Sequence, residues 1–203
     1  MKERINKSTP DAFLTDTYDT MFAPQISAMK ALDTWVVDDL YYPGWKKFLN
    51  LFDNYYDRHI DYGNGTLYYK KDMSYPTDID PKEEYLQFIE FQLQNLPIRV
   101  KGFSKAWGVK YPPGAYSGLH SHVPGKQLTS VLFLDTPKPN ITYPLAGSLT
   151  TLQPTPDSTI NYIQHKPIAG KLVIMDGKVY HGTYPTLEDR HVFVVDMEYE
   201  TTR

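Results

Sequence analysis

There is no cysteine in the 203 residues, and that absence removes disulfides, thiolate metal sites, iron–sulfur clusters and cysteine nucleophiles together. Any metal the chain holds must sit on histidine, aspartate or glutamate. Neither charge dominates: 21 basic residues stand against 24 acidic ones, with no long run of one sign. Such a balance makes no electrostatic footprint for nucleic acid or for an anionic membrane. No stretch approaches the ~18 apolar residues of a membrane span. The opening MKERINKSTPDAF also has no apolar core of signal-peptide length. A soluble, cytoplasmic protein is expected, with no membrane or nucleic-acid partner.

Seventeen tyrosines and sixteen prolines are present, and the prolines thicken between 137 and 167, as they do where short strands are joined by tight turns. The length suits a single domain, 1–203, able to bury roughly 70% of its unfolded surface. Two regions are expected within it. Residues 1–97 read as a mostly helical supporting region, and 98–203 as a β core. In 44–56, apolar residues at 45, 48, 49, 52 and 55/56 make one helical face. A second helix reads from Asp80 as N-cap through Pro81, Glu83, Tyr85, Phe88, Ile89 and Leu96 to Pro97, which stops it. The tyrosine-rich stretch between them, 59–76, reads as a long loop or hairpin. Such a connection serves either as a lid or as packing for the helices.

From residue 98 the period becomes that of strands. Candidates are 102–111, 128–134, 148–153, 159–164, 171–176 and 191–199, separated by turns bearing Pro, Gly or Asn. Six short strands at this spacing indicate a sandwich or barrel.

Chemistry concentrates in GAYSGLHSHVPGK, where His120 and His122 stand one residue apart. Residues i and i+2 of a strand point the same way, so this pair can chelate one ion. A third ligand must come from a neighbouring strand, and His181, closing GKLVIMDGKVY, is the candidate. Three ligands crowded on one side leave adjacent coordination positions open. Arg190 follows nine residues later, at the start of the last strand. Its planar fork suits a bidentate grip on a carboxylate. The remaining histidines examined, His59, His165 and His191, have no partner at ligand spacing and read as structural.

With these residues in place, 100–200 resembles the Fe(II)- and 2-oxoglutarate-dependent oxygenases, in their prolyl-hydroxylase-like branch or a branch carrying His-x-His. The resemblance rests on KYPPGAYSGLHSH, LTSVLFLD and GKLVIMDGKVYHGTYPTLEDRHVFVVDME. It implies a mainly β fold with N-terminal helices, a double-stranded β-helix of jelly-roll, cupin-like form. It implies His120, His122 and His181 as iron ligands, with no catalytic residue beyond them, and Arg190 on the distal carboxylate of 2-oxoglutarate. Tyr111 and, more remotely, Thr129 would also contact that cosubstrate. The implied activity is a non-haem iron dioxygenase, a hydroxylase of a small molecule or peptide that the sequence does not identify.

Two departures stand out. His122 occupies the position where the family usually has a carboxylate, which removes one negative charge from the iron's ligands. Val192, two residues after Arg190, stands where a hydroxyl is usual. Because imidazole must be neutral to ligate, metal affinity is expected to fall below about pH 6.5.

Two other readings remain open. One is a three-histidine cupin enzyme that does not use 2-oxoglutarate, although Lys126 and Gln127 stand where the cupin glutamate would be, and Asp176-Gly177-Lys178 replaces its Pro-x-Gly. The other is a non-catalytic jelly-roll binding module.

Overall fold

A computed structural model describes residues 34–49, 58–60, 67–69, 82–122, 127–154 and 159–202. In chain order the strands are β1 Val36–Tyr41, β2 Arg58–Ile60, β3 Leu67–Tyr69, β4 Ile98–Tyr111, β5 Gln127–Phe133, β6 Leu149–Pro154, β7 Ile160–His165, β8 Lys171–Asp176, β9 Tyr180–Thr183 and β10 Arg190–Thr201. One α-helix, α1 Glu83–Gln92, and a 3-10 turn over Trp45–Phe48 complete the described elements.

Antiparallel pairing builds two sheets. The larger runs β1-β8-β5-β10-β4-β3-β2 and the smaller runs β7-β6-β9. Leu149 of the smaller sheet joins Trp107, Val109, Val131, Val173, Val192 and Val194 of the larger in one buried cluster. The two sheets therefore face each other across a shared core, which is the jelly-roll arrangement.

The central strands β5, β8 and β10 of the larger sheet are buried on both sides, and this explains the near-continuous apolar runs VLFL, KLVIM and VFVVDM. Alternate residues divide between the faces. Val131, Phe133, Val173, Val192 and Val194 face the smaller sheet, whereas Leu132, Leu172, Ile174, Phe193 and Val195 face a cluster with Phe48, Tyr85, Ile89 and Leu93. Helix α1 and the 3-10 turn cover that second face, with the Phe48 ring stacked on Phe193 at 4.2 Å. Tyr85 reaches through the cluster to place its hydroxyl 3.1 Å from Ser130 Oγ.

The N-terminal region differs from its helical expectation. Among the described residues before 98 there are three strands, one 3-10 turn and one α-helix. Residues 45–48 form a 3-10 turn, with Gly44 at its N-cap position and no side-chain cap; 50–57 lie outside the described residues. Helix α1 begins at Glu83, not at Asp80. Its N-cap position is Lys82 at φ 67, without a side-chain cap, and Glu83 and Glu84 supply negative charge to the helix N-terminus instead. Asp80 and Pro81 lie outside the described residues, as do 70–81 generally. Within 59–76, β2 and β3 pair as Arg58↔Tyr69, His59↔Tyr68 and Ile60↔Leu67, so part of this stretch is a hairpin added to the edge of the sheet beside β4. Strand β1 carries a bulge between Val37 and Leu40, with Asp39 at φ 57, a conformation short polar side chains tolerate.

Candidate metal centre

The segment carrying His120 and His122 runs alongside β9. His120 and His181 exchange backbone hydrogen bonds, N–H to O at 2.9 Å and 2.8 Å, and His122 N–H donates to Gly177 O at 2.9 Å. Directly opposed residues of an antiparallel pair present their side chains on one face, and i, i+2 residues share it. The three rings therefore converge, with centroids 4.4 Å apart for His120 and His181, 5.1 Å for His122 and His181, and 5.4 Å for His120 and His122. Each offers a nitrogen within 4.8 Å of the other two, close enough for all three to share one small cation.

The outer ring nitrogens fix the tautomers. His120 Nδ1 donates to Gly118 O at 2.8 Å, His181 Nδ1 to Val179 O at 3.0 Å, and His122 Nδ1 to Asp196 Oδ1 at 2.7 Å. With every Nδ1 spent as a donor, the three Nε2 lone pairs are left for a metal. Burial holds the His181 imidazole well below its ordinary value, and the neighbouring histidines add to the effect. A proton thus competes poorly for this nitrogen.

At the other end of the same cavity, Arg190 is fully buried. Its partner in the β10–β4 register is Tyr111, and its guanidinium lies 4.7 Å from the Tyr111 ring and 5.1 Å from Phe133. The close approach of Gly147 gives it room: a Cβ there would stand 3.2 Å from Arg190 Cδ. Among the described residues, none of Arg190 Nε, Nη1 and Nη2 has a hydrogen-bond partner. Burial draws its pKa down from the usual arginine value, partly offset by Tyr111 and Asp135. Between arginine and histidines the cavity wall is mostly apolar, formed by Trp107, Val109, Val131, Leu149, Val192 and Val194, with Ser117 and Thr183 as further polar residues.

Of the sequence-derived candidates, His120, His122, His181, Arg190 and Tyr111 all line this cavity. Thr129, which the resemblance turns toward the cosubstrate, is not among the lining residues and donates its hydroxyl to Asp196 Oδ1 at 2.8 Å. Its backbone lies opposite Asp196 in the β5–β10 register, at the histidine end of the sheet. Asp196 itself went unnoticed in the sequence. The available signal was its parity: in VFVVDME, Asp196 shares the inward phase of Val192 and Val194, where an acid has a reason to be. Trp107, stacked on His122 at 6.0 Å, was missed as well.

A jelly roll with three histidines on one inner face and a buried, unpaired arginine at the far end of the same cavity is the class of site defined here. No protein-family model matches the chain, and no curated protein matches it. Solved structures do match its fold. A prolyl-4-hydroxylase of Pseudomonas putida superposes with a TM-score of 0.53 at 17% identity, over 89% of this chain and 100% of that one. An oxidoreductase of the 2OG-Fe(II) oxygenase family from Burkholderia pseudomallei gives 0.55 at 10% identity, over 98% and 94%. HygX from Streptomyces hygroscopicus, solved with nickel and 2-oxoglutarate bound, gives 0.50 at 13% identity, over 88% and 87%. The fold is the one these oxygenases share, and it is the fold of the superfamily the sequence resembles.

Proposed function

We propose that the protein is a non-haem Fe(II)- and 2-oxoglutarate-dependent dioxygenase. The observation that carries this reading is Arg190, a buried guanidinium whose three nitrogens are unpartnered and which shares its cavity with three convergent imidazoles. A permanently charged, desolvated fork calls for an anion. A dicarboxylate binding a metal at one end and Arg190 at the other satisfies both.

His120, His122 and His181 would hold iron through Nε2, and the donor set fits, since imidazole suits iron and three ligands leave open positions. Arg190 would pair with the distal carboxylate, and Tyr111 would hold the guanidinium in place against its ring and offer its hydroxyl to the same carboxylate. With Val192 apolar, Ser117 and Thr183 provide hydroxyl-bearing side chains elsewhere in the cavity. Iron and 2-oxoglutarate, when bound, supply oxidative decarboxylation to succinate and carbon dioxide together with the oxidising equivalent for hydroxylating a substrate. The apolar walls exclude water from that chemistry. The likeness to a prolyl-4-hydroxylase and to HygX supports this reaction class and leaves the substrate unassigned between a peptide and a small molecule.

The all-histidine donor set favours one alternative, a three-histidine cupin enzyme that does not use the keto acid. In that reading Arg190 has no partner. Anaerobic addition of Fe(II) and 2-oxoglutarate to the apo-protein separates the two. A visible charge-transfer band is expected, absent in His181→Ala and weakened in Arg190→Ala. Iron bound without a band would favour the cupin, and no iron bound at all would leave the binding-module reading.

A further inference from the structure

We infer that Asp196 supplies, one imidazole away from the metal, the negative charge that His122 removes from the ligand set, and so acts as the positioning residue that makes His122 the strongest of the three donors. The inference rests on the metal-site reading above.

The three histidines differ in what holds their Nδ1. For His120 and His181 it is a neutral carbonyl two residues back in the same segment, Gly118 O and Val179 O. For His122 it is a carboxylate from a different strand, Asp196 Oδ1, at 2.7 Å. A carboxylate accepting from Nδ1–H orients the ring and raises the basicity of Nε2, and loss of such a partner costs 10- to 100-fold in metal affinity in known sites.

Asp196 is built for this role. It is completely buried, so its charge is weakly screened, and its oxygens are divided between two kinds of partner. Oδ1 receives His122 Nδ1 and the Thr129 hydroxyl at 2.8 Å. Oδ2 lies 3.1 Å from the Lys105 ammonium as an ion pair without a hydrogen bond, which favours the ionised carboxylate and does not occupy the oxygen that His122 uses. Lys105 in turn lies 5.0 Å from the Trp107 ring, which stacks on His122. The family's usual carboxylate ligand is thus replaced by a relay: metal, His122, Asp196, with Thr129 as a second donor to the same oxygen.

The relay predicts opposite signs for two neighbours. Asp196→Asn keeps the shape and an acceptor but loses the charge, and should weaken Co(II) binding 10- to 100-fold. Lys105→Met frees Asp196 to polarise His122 and should tighten it several-fold. The Lys105 effect should largely vanish in the Asp196→Asn background, which simple removal of a nearby cation would not produce. Co(II) dissociation constants from competition with a chromophoric chelator, read with the metal-free unfolding midpoint of each variant, test this. With Fe bound, Asp196→Asn should also raise the ferric/ferrous midpoint potential, because the carboxylate favours the higher charge. Equal affinity and potential in wild type and a folded Asp196→Asn overturns the inference alone. A wild type that binds no Co(II) overturns the metal reading with it. If Asp196→Asn does not fold, Thr129→Val decides, since it removes the neutral donor that shares Oδ1 with His122 and leaves the net charge unchanged: tighter Co(II) binding supports the relay and unchanged binding overturns it.

Discussion

Arg190 is held against two aromatic faces with no hydrogen-bond acceptor among the described residues, so its buried charge is only partly compensated there, by Tyr111 and Asp135. Cation–π contact returns about 0.5–2 kcal/mol, less than desolvating a guanidinium costs. Arg190→Met, which keeps the stem and drops the charge, is therefore expected to stabilise the ligand-free protein by about 1 kcal/mol, as replacing buried ionic groups by apolar ones often does. On the proposed function, the same variant should lose the stabilisation expected from 2-oxoglutarate with metal, about 2.7 kcal/mol at a hundredfold excess over its dissociation constant. Denaturant unfolding with and without metal and keto acid reads both effects. A variant less stable without ligand would show that Arg190 has a structural partner after all. The grouping of His120, His122 and Arg190 on one cavity was legible in the sequence, where the spacing was short or the residue type unusual. It was not legible for Asp196, because an isolated acid in a strand reads as a surface residue until pairing shows which face it occupies.

At the scale of elements, the six strand candidates from 102 onward all have counterparts, β4 to β8 and β10, since buried strands between Pro- and Gly-bearing turns leave a strong pattern. Two strands escaped. In β1 the doublet Asp38-Asp39 interrupts the apolar run at a bulge, and β9 is four residues carrying His181 and Gly182. The helical face read over 44–56 did contain a true contact: Phe48 packs on Phe193 of β10 at 4.2 Å with planes 16° apart. The rest of that face, from 50 onward, lies outside the described residues. Phe193→Ala, at a fully buried position, should cost about 3–5 kcal/mol. Phe48→Ala should cost less, because its 3-10 turn can settle toward the sheet. Since each variant removes the same stack, the double variant should fall short of additivity by about 0.5–1.5 kcal/mol. Urea unfolding of the four proteins measures this, and strict additivity would mean the two rings stabilise independently.

Across the whole molecule, the larger and smaller sheets meet not only through apolar residues but also through His165 of β7. This ring is fully buried, with Nε2 2.9 Å from Thr151 Oγ1 of β6 and Nδ1 3.3 Å from Asp38 Oδ2 in the bulge of β1. Burial pushes its pKa down to about 4, outweighing the favourable charge of Asp38. Between that value and the ordinary imidazole pKa of about 6.5, the unfolded chain carries a proton on this residue that the folded chain does not. The unfolded state binds more protons, so stability rises with pH through this window and is lost as pH falls through it. The full loss from this group is about 3 kcal/mol, reached only below pH 4. His181, also depressed by burial, acts in the same direction in the metal-free protein. His165→Asn isolates one contribution, since its amide can still meet Thr151 but does not titrate. Unfolding free energies of metal-free wild type and His165→Asn at pH 7.5 and pH 4.5 should differ most in their pH dependence, the variant losing less on acidification. Parallel curves would mean that the ring is protonated in the fold, the Asp38 pair having overcome desolvation, and that the contact between the sheets is an ion pair rather than a neutral imidazole beside a carboxylate.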